Sequence, residues 1–171
     1  MAGNGNDWID GGAGSDRILG QVGNDTIVLD TQDSLVDGGT GIDRLLLADN
    51  SLNFDNITDA QLTGIEILDL DTGGTGRSVT LDAQDVLDFE ATTGLTVDHD
   101  NNGGTALRMV DLVIQGDIAD SVTLDGGGAN PDWTAGITGV LFTGYDGSYD
   151  IFYTSTAVIA IETDIMVAIS N

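Results

Sequence analysis

An aliphatic side chain returns at every ninth position through the first part of the chain, as Ile9, Ile18, Ile27, Val36 and Leu45. Around these residues lie five end-to-end slots from Ala2 to Leu46: AGNGNDWID, GGAGSDRIL, GQVGNDTIV, LDTQDSLVD and GGTGIDRLL. The end of each slot reads as a short strand whose middle residue, the aliphatic, points inward, because side chains alternate across a strand. The start of each slot is glycine-rich except in the fourth, and glycine supplies the positive φ angles that tight turns need. A strict period this short means one small unit stacked on itself. Two slots then form one coil of a flattened solenoid. Ile9, Ile27 and Leu45 are expected to stack in one sheet, and Ile18 and Val36 in the other.

Past Leu46 the alternation continues with a looser rhythm. Strands are predicted at Leu45–Leu47, Ile65–Leu70, Ser78–Leu81, Gly94–Asp98, Leu107–Ile114, Ser121–Leu124, Gly139–Thr143, Tyr149–Thr154, Ala157–Glu162 and Ile165–Ile169. Two short helical turns are predicted, one at Asp59–Thr63 after Thr58. The other is Ala83–Phe89 after Asp82, with Val86, Leu87 and Phe89 on its buried side. The run Ser78-Val79-Thr80-Leu81-Asp82 recurs as Ser121-Val122-Thr123-Leu124-Asp125, which reads as two similar strands entering similar turns. A solenoid end exposes unpaired backbone and core residues, so the segment from Tyr149 onward is expected to cap the roll. The predicted class is all-β: a parallel β-roll over residues 1–46, continued over 47–171 by a β-rich cap with one or two short helices.

The turns carry the chemistry. Position six holds Asp7, Asp16, Asp25 and Asp43, with Ser34 in the fourth slot. Stacking alternate slots places Asp7, Asp25 and Asp43 in one column and Asp16 with the Ser34 slot in the other. Carboxylates a strand spacing apart, about 4.8 Å, repel. A hard cation between them reverses that sign, and calcium takes six to eight oxygen ligands, carboxylates and backbone carbonyls among them. The candidate calcium ligands are the carboxylates of Asp7, Asp16, Asp25 and Asp43. Backbone oxygens would come from the turns containing Gly3, Gly5, Gly12, Gly14, Gly20, Val22, Gly23, Gly38, Gly39, Thr40 and Gly41. The Asp16 column is expected to be the weaker one, with Asp30 and Asp33 as compensating residues for Ser34. A plain Gly/Asp linker would need no aliphatic at every ninth residue.

Composition sharpens this. The chain has 171 residues, 29 acidic against four basic, and a net charge of −25. So acidic a surface argues against nucleic acid and anionic membranes, and for cations. Without cysteine there is no disulfide, so another staple is required, and several calcium ions would serve. There is no N-terminal signal-peptide pattern and no apolar run long enough to span a bilayer. The chain begins inside a repeat, which reads as a piece of a longer protein.

The nonad slots resemble the RTX family of Gram-negative proteins. VDGGTGIDRLLL, LTGIEILDL, SVTLDAQDVLDF and the terminal VIAIETDIMVAISN resemble the C-terminal end of giant RTX adhesins, the ice-binding adhesins among them. That resemblance implies a secreted or cell-surface protein carrying an uncleaved C-terminal secretion signal. It also implies type I secretion as the partner machinery: an ABC transporter, a membrane-fusion protein and an outer-membrane channel. The chain would leave without an N-terminal signal peptide and fold on external calcium, as a monomer.

Other features have simpler readings. Asp69-Leu70-Asp71 before Thr72-Gly73-Gly74, and Asp98-His99-Asp100 before Asn101-Asn102-Gly103, are candidate calcium loops, though acidic loops in such a chain are usually solvated turns. His99 is the only histidine, and zinc would want more nitrogen or sulfur ligands. Asp146 and Asp125 read as turn residues, Trp8 as exposed and Trp133 as packed. No G-x-S-x-G elbow is present and a Ser-His-Asp triad would have to use His99, so an enzyme is not expected. A carboxylate dyad of the glycosidase kind stays open among so many acids. Position three runs Asn4, Ala13, Val22, Thr31, Thr40 and position five Asn6, Ser15, Asn24, Asp33, Ile42, which is no regular array for ice. An adhesive or glycan-binding module remains the alternative to a calcium-folded secretion module.

Overall fold

The computed structural model describes residues 1–58, 61–71, 76–89, 93–97, 108–125, 133–136, 138–142, 145 and 147–170. In the repeats the strands are β1 (Gly3–Asn4), β2 (Trp8–Asp10), β3 (Arg17–Val22), β4 (Thr26–Leu29), β5 (Leu35–Thr40) and β6 (Arg44–Leu47). There follow β7 (Ser51–Asn53), β8 (Leu62–Thr63), β9 (Ile67–Asp69), β10 (Ser78–Leu81), helix α1 (Ala83–Asp88), β11 (Thr96–Val97) and β12 (Arg108–Met109). The chain continues with β13 (Leu112–Gln115), β14 (Ser121–Asp125), β15 (Thr134–Ala135), β16 (Tyr149–Tyr153), β17 (Val158–Glu162) and β18 (Met166–Ser170).

These strands wind a parallel solenoid. One face runs β1-β3-β5-β8, a second β2-β4-β6-β9-β13-β17, and a third β7-β10-β14-β18. The repeats use the first two faces. Each coil there takes 18 residues, the next takes 23, and the last take 43 to 47. The added length builds the third face and the excursions between coils. Gly64 N–H donates to Phe89 O, so the end of α1 stacks where the first face would have continued.

The register follows the nonad period. Ile9 pairs with Ile27 and Ile27 with Leu45, while Ile18 pairs with Val36. Their side chains point into one apolar core that runs from Ile18 through Leu45, Leu68, Leu81 and Leu112 to Ile161 and Ile165. The two SVTLD segments are stacked neighbours, paired residue for residue from Ser78↔Ser121 to Leu81↔Leu124. Identical sequence gives identical inward positions, Val79 and Leu81 over Val122 and Leu124, so like packs on like.

Several expectations are corrected. Leu62 and Thr63 form a strand beside Val36 and Asp37 rather than the end of a helical turn. The local helix lies earlier, as a 3-10 turn at Phe54–Asn56 whose first free N–H is taken by the Asn53 side chain. Helix α1 begins at the predicted Asp82, whose capping box with Asp85 holds it. Val86 and Phe89 are buried, but Leu87 faces out. Among the described residues, the predicted strand from Leu107 to Ile114 gives β12 and β13, and the predicted strand Gly139–Thr143 gives a bridge between Val140 and Tyr149. At the C-terminal end, β16 and β15 add antiparallel strands to the second face beyond β17. β18 becomes an edge strand of the third face beside β14, with Met166 and Ile169 exposed.

Candidate metal centre

The turns joining the first face to the second stack into a column. In it, Asp7 N–H donates to Asp25 Oδ1 at 2.8 Å, and Asp25 N–H to Asp43 Oδ1 at 2.7 Å. Asp43 N–H donates in turn to Glu66 Oε2 at 2.8 Å. Each carboxylate therefore binds the backbone of the coil before it. Just outside runs an asparagine ladder, with Asn24 N–H on Asn6 Oδ1 and Ile42 N–H on Asn24 Oδ1. Glu66 was absent from the predicted ligands. It replaces Asp at a turn 23 residues on, off the 18-residue beat.

One oxygen of each central carboxylate is used in this stacking, and the other is left. Asp25 Oδ2 and Asp43 Oδ2 are sealed from solvent with no hydrogen-bond partner, and both residues are buried. An ionised oxygen in that position is costly unless paired. Burial pushes the Asp43 carboxyl up to about 6; the Asp25 N–H lowers it, and Glu66, Asp25 and Asp37 raise it further. The glycines explain how the oxygens come so close. A Cβ on Gly20 would lie 2.3 Å from Gly38 O and 2.4 Å from Asp25 Oδ2. One on Gly38 would lie 2.1 Å from Gly64 O and 2.7 Å from Asp43 Oδ2. Bare glycine thus leaves a small oxygen-lined cradle of carboxylate and carbonyl.

This donor set fits a hard cation. Calcium prefers mixed carboxylate and carbonyl oxygens, whereas zinc wants nitrogen or sulfur. Among the described residues no three His, Cys, Asp or Glu side chains converge on one point. A cation here would draw on one or two carboxylates and complete its shell from turn carbonyls.

In the opposite turns more of the oxygens are engaged by the protein itself. Ser34 N–H and Oγ both donate to Asp16 O. Asp33 is buried, and its Oδ1 accepts from Asp16 N–H at 3.3 Å while Oδ2 accepts from Asp30 N–H at 3.1 Å. Asp33 thus compensates for Ser34, with both oxygens engaged. Desolvation still raises its pKa, against the lowering effect of those two N–H groups. Gly12 and Gly14 sit in an open turn, where an added Cβ would meet nothing. The same Asp-x-x-Asp arrangement recurs twice. Asp82 N–H donates to Asp85 Oδ2 and Asp117 N–H to Asp120 Oδ2. Asp120 Oδ1 also takes Arg77 N–H of the preceding coil.

Residues 1–36 match the RTX calcium-binding nonapeptide repeat, in four copies. The match runs from the first slot to Val36 in the glycine-free fourth, and the fifth slot continues the same stack through the end of β5 and into β6. No curated protein and no solved structure matches the chain. The match supports calcium binding by the repeats; Asp25, with its buried unpartnered oxygen, lies within the matched residues and Asp43 lies just beyond them.

The remaining candidates fall elsewhere. Asp69 is not free for a cation: Oδ2 pairs with Arg44 at 2.5 Å and Oδ1 accepts Asp71 N–H. Residues 72–74, the loop 98–103 with His99, and Asp146 lie outside the described residues. Trp8 is exposed as expected, and Trp133 is packed, its Nε1–H donating to Asp125 O.

Proposed function

We propose that this chain is a calcium-folded module of a secreted RTX adhesin, exported by type I secretion and completed outside the cell. The observation that carries the reading is the pair of buried, unpartnered carboxylate oxygens at Asp25 and Asp43, within and beside the RTX repeats. Where calcium is scarce, those carboxylates oppose closure of the column and the repeats stay open, fit for passage through an exporter. Where calcium is abundant, the ions fill the cradles and the coils stack. Extracellular calcium modules bind with dissociation constants of about 10⁻⁴–10⁻³ M, which suits such a switch. One site at 100 times its dissociation constant adds roughly 2.7 kcal/mol, a large share of a domain's stability. The apolar, uncharged β18 at the C-terminal edge is the segment we assign to the secretion signal. The role proposed is folding and attachment rather than catalysis.

The test is a calcium titration of the metal-stripped protein, followed by far-UV circular dichroism and tryptophan fluorescence. The reading requires a cooperative gain of β signal between micromolar and millimolar calcium. Full structure in chelator, with no gain in melting temperature on adding calcium, would overturn it. Deleting residues 149–171 should abolish export while leaving synthesis intact.

A further inference from the structure

A strand at the edge of a sheet carries unpaired N–H and C=O groups, and proteins guard such edges by keeping them short or charged. Most edges of this solenoid follow that rule. Among the described residues, β1, β8 and β15 at the margins of the first two faces are two residues long. β2 spans three and ends in Asp10. On the third face β7 spans three, between Asp49 and Asp55. The other edge of that face is different. β18, Met166-Val167-Ala168-Ile169-Ser170, is five residues long and uncharged, in a chain of net charge −25.

The backbone shows what this edge offers. β18 lies parallel to β14, and Met166 N–H donates to Asp120 O. In a parallel ladder the N–H and C=O of one residue point to the same side, and successive residues alternate. Met166, Ala168 and Ser170 therefore turn theirs to β14, and Val167 and Ile169 turn theirs to the free edge. The side chains of these two residues point inward, in register with Val122 and Leu124, which are fully buried. Val167 is nevertheless only partly buried and Ile169 is 40% exposed, since among the described residues no further coil lies over them.

A second β18 fits this edge. When two copies run antiparallel about a twofold axis through Ala168, Val167 of each faces Ile169 of the other. Each such pair exchanges both of its N–H···O bonds, which uses every group turned to the edge. Inward side chains meet inward ones, Val167 against Ile169, and Met166 stands outward beside Ser170. The apolar layer thus runs on across the junction, and no charge within the strand meets another. The same five residues supply both sides, as a twofold contact requires.

We propose that two copies of the folded chain join through β18, antiparallel and edge to edge, into a twofold dimer. The inference goes beyond the calcium and export reading and does not rest on it. A five-residue edge is a small interface, so the dissociation constant is expected between about 1 μM and 1 mM. Two such acidic bodies repel. Association should therefore tighten about tenfold between roughly 0.1 M and 1 M sodium chloride, as the screening length falls from about 10 Å to 3 Å.

The experiment is sedimentation velocity of the full chain in millimolar calcium, across that range of protein concentration and at both salts. Ala168→Lys lowers the net negative charge yet sets two ammonium groups across the axis, so it should abolish the dimer. Val167→Pro removes an N–H that the third face does not use, and should abolish it too. Both variants should keep the parent's circular dichroism and calcium-dependent melting. Ala168→Cys reads the register. The chain has no cysteine of its own. Partners at a non-hydrogen-bonded position lie about 4.5 Å apart at Cα, within disulfide reach. Mild oxidation should therefore link Ala168→Cys into dimers, but not Ser51→Cys at the opposite edge of the same sheet. A monomer at about 1 mM in high salt, a dimer indifferent to both Ala168→Lys and Val167→Pro, or equal linking of the two cysteine variants would overturn the proposal. So would slow hydrogen exchange at Val167 and Ile169 at every protein concentration, since another segment of the same chain would then cover the edge.

Discussion

Within the metal column each central aspartate has two oxygens with separate duties. Oδ1 of Asp25 holds the backbone of the coil before it, and Oδ2 faces the cradle. Asp25→Asn separates them, because an amide oxygen still accepts the Asp7 N–H while the second position loses its charge. In chelator this variant should melt no lower than the parent. In saturating calcium it should forgo about 2–3 kcal/mol of stabilisation, the contribution of one well-filled site. Thermal melts with and without calcium check both halves, and an unchanged calcium gain would remove Asp25 from the ligands. A second residue is out of place for a different reason. Gln21 has φ +84°, in the slot position that Gly12 and Gly39 fill elsewhere. A left-handed conformation costs a residue with a Cβ about 1–2 kcal/mol, part of which glycine returns as unfolded-state entropy. Gln21→Gly should therefore raise the melting temperature by about 2–4 °C, with no change in calcium affinity.

At the scale of elements, the solenoid has two kinds of turn. Glycine-rich turns leave carboxylate oxygens unpaired, and Asp-x-x-Asp turns close on their own backbone N–H groups. Hydrogen exchange should tell them apart. On chelation, the Asp7 and Asp25 amides should lose protection at least about tenfold more than those of Asp30, Arg77 and Asp117, since the former depend on coils the metal ties together. Equal losses would mean that calcium acts on the whole fold at once. Much of this arrangement is legible from the period alone. The aliphatic every ninth residue specifies two faces, the pairing of Ile9 with Ile27 and Leu45, and the Asp7-Asp25-Asp43 column. Glu66 escapes because its coil is longer and its side chain differs from the repeat. Strands β7 and β8 escape because two or three residues carry no measurable alternation. Asp30, Asp33, Asp117 and Asp120 are plain in the sequence, but among 29 acids their i, i+3 spacing reads as ordinary solvated turn. What separates them from Asp25 is which N–H each oxygen meets, and that depends on the neighbouring coil.

For the whole molecule, the net charge of −25 makes closing the roll an electrostatic problem with two solutions, a cation or a proton. Asp43 shows the competition. Its folded pKa, about 6, lies above its ordinary 3.8, so without metal the native state holds a proton that the unfolded chain releases across that interval. Stability then falls as pH rises from about 4 to 6 and gains nothing from this group above that. The metal-free protein should accordingly be more stable at pH 5 than at pH 7, the opposite of a salt-bridged carboxylate. Calcium reverses the slope, because ligand carboxylates must be deprotonated, so its affinity should fall as pH drops below about 6. Melting curves from pH 4 to 8, in chelator and in millimolar calcium, should therefore cross. Two parallel curves would mean that proton and cation act at different places and that Asp43 is not part of the calcium column. A crossing would mean that one buried column decides when a chain this acidic becomes compact.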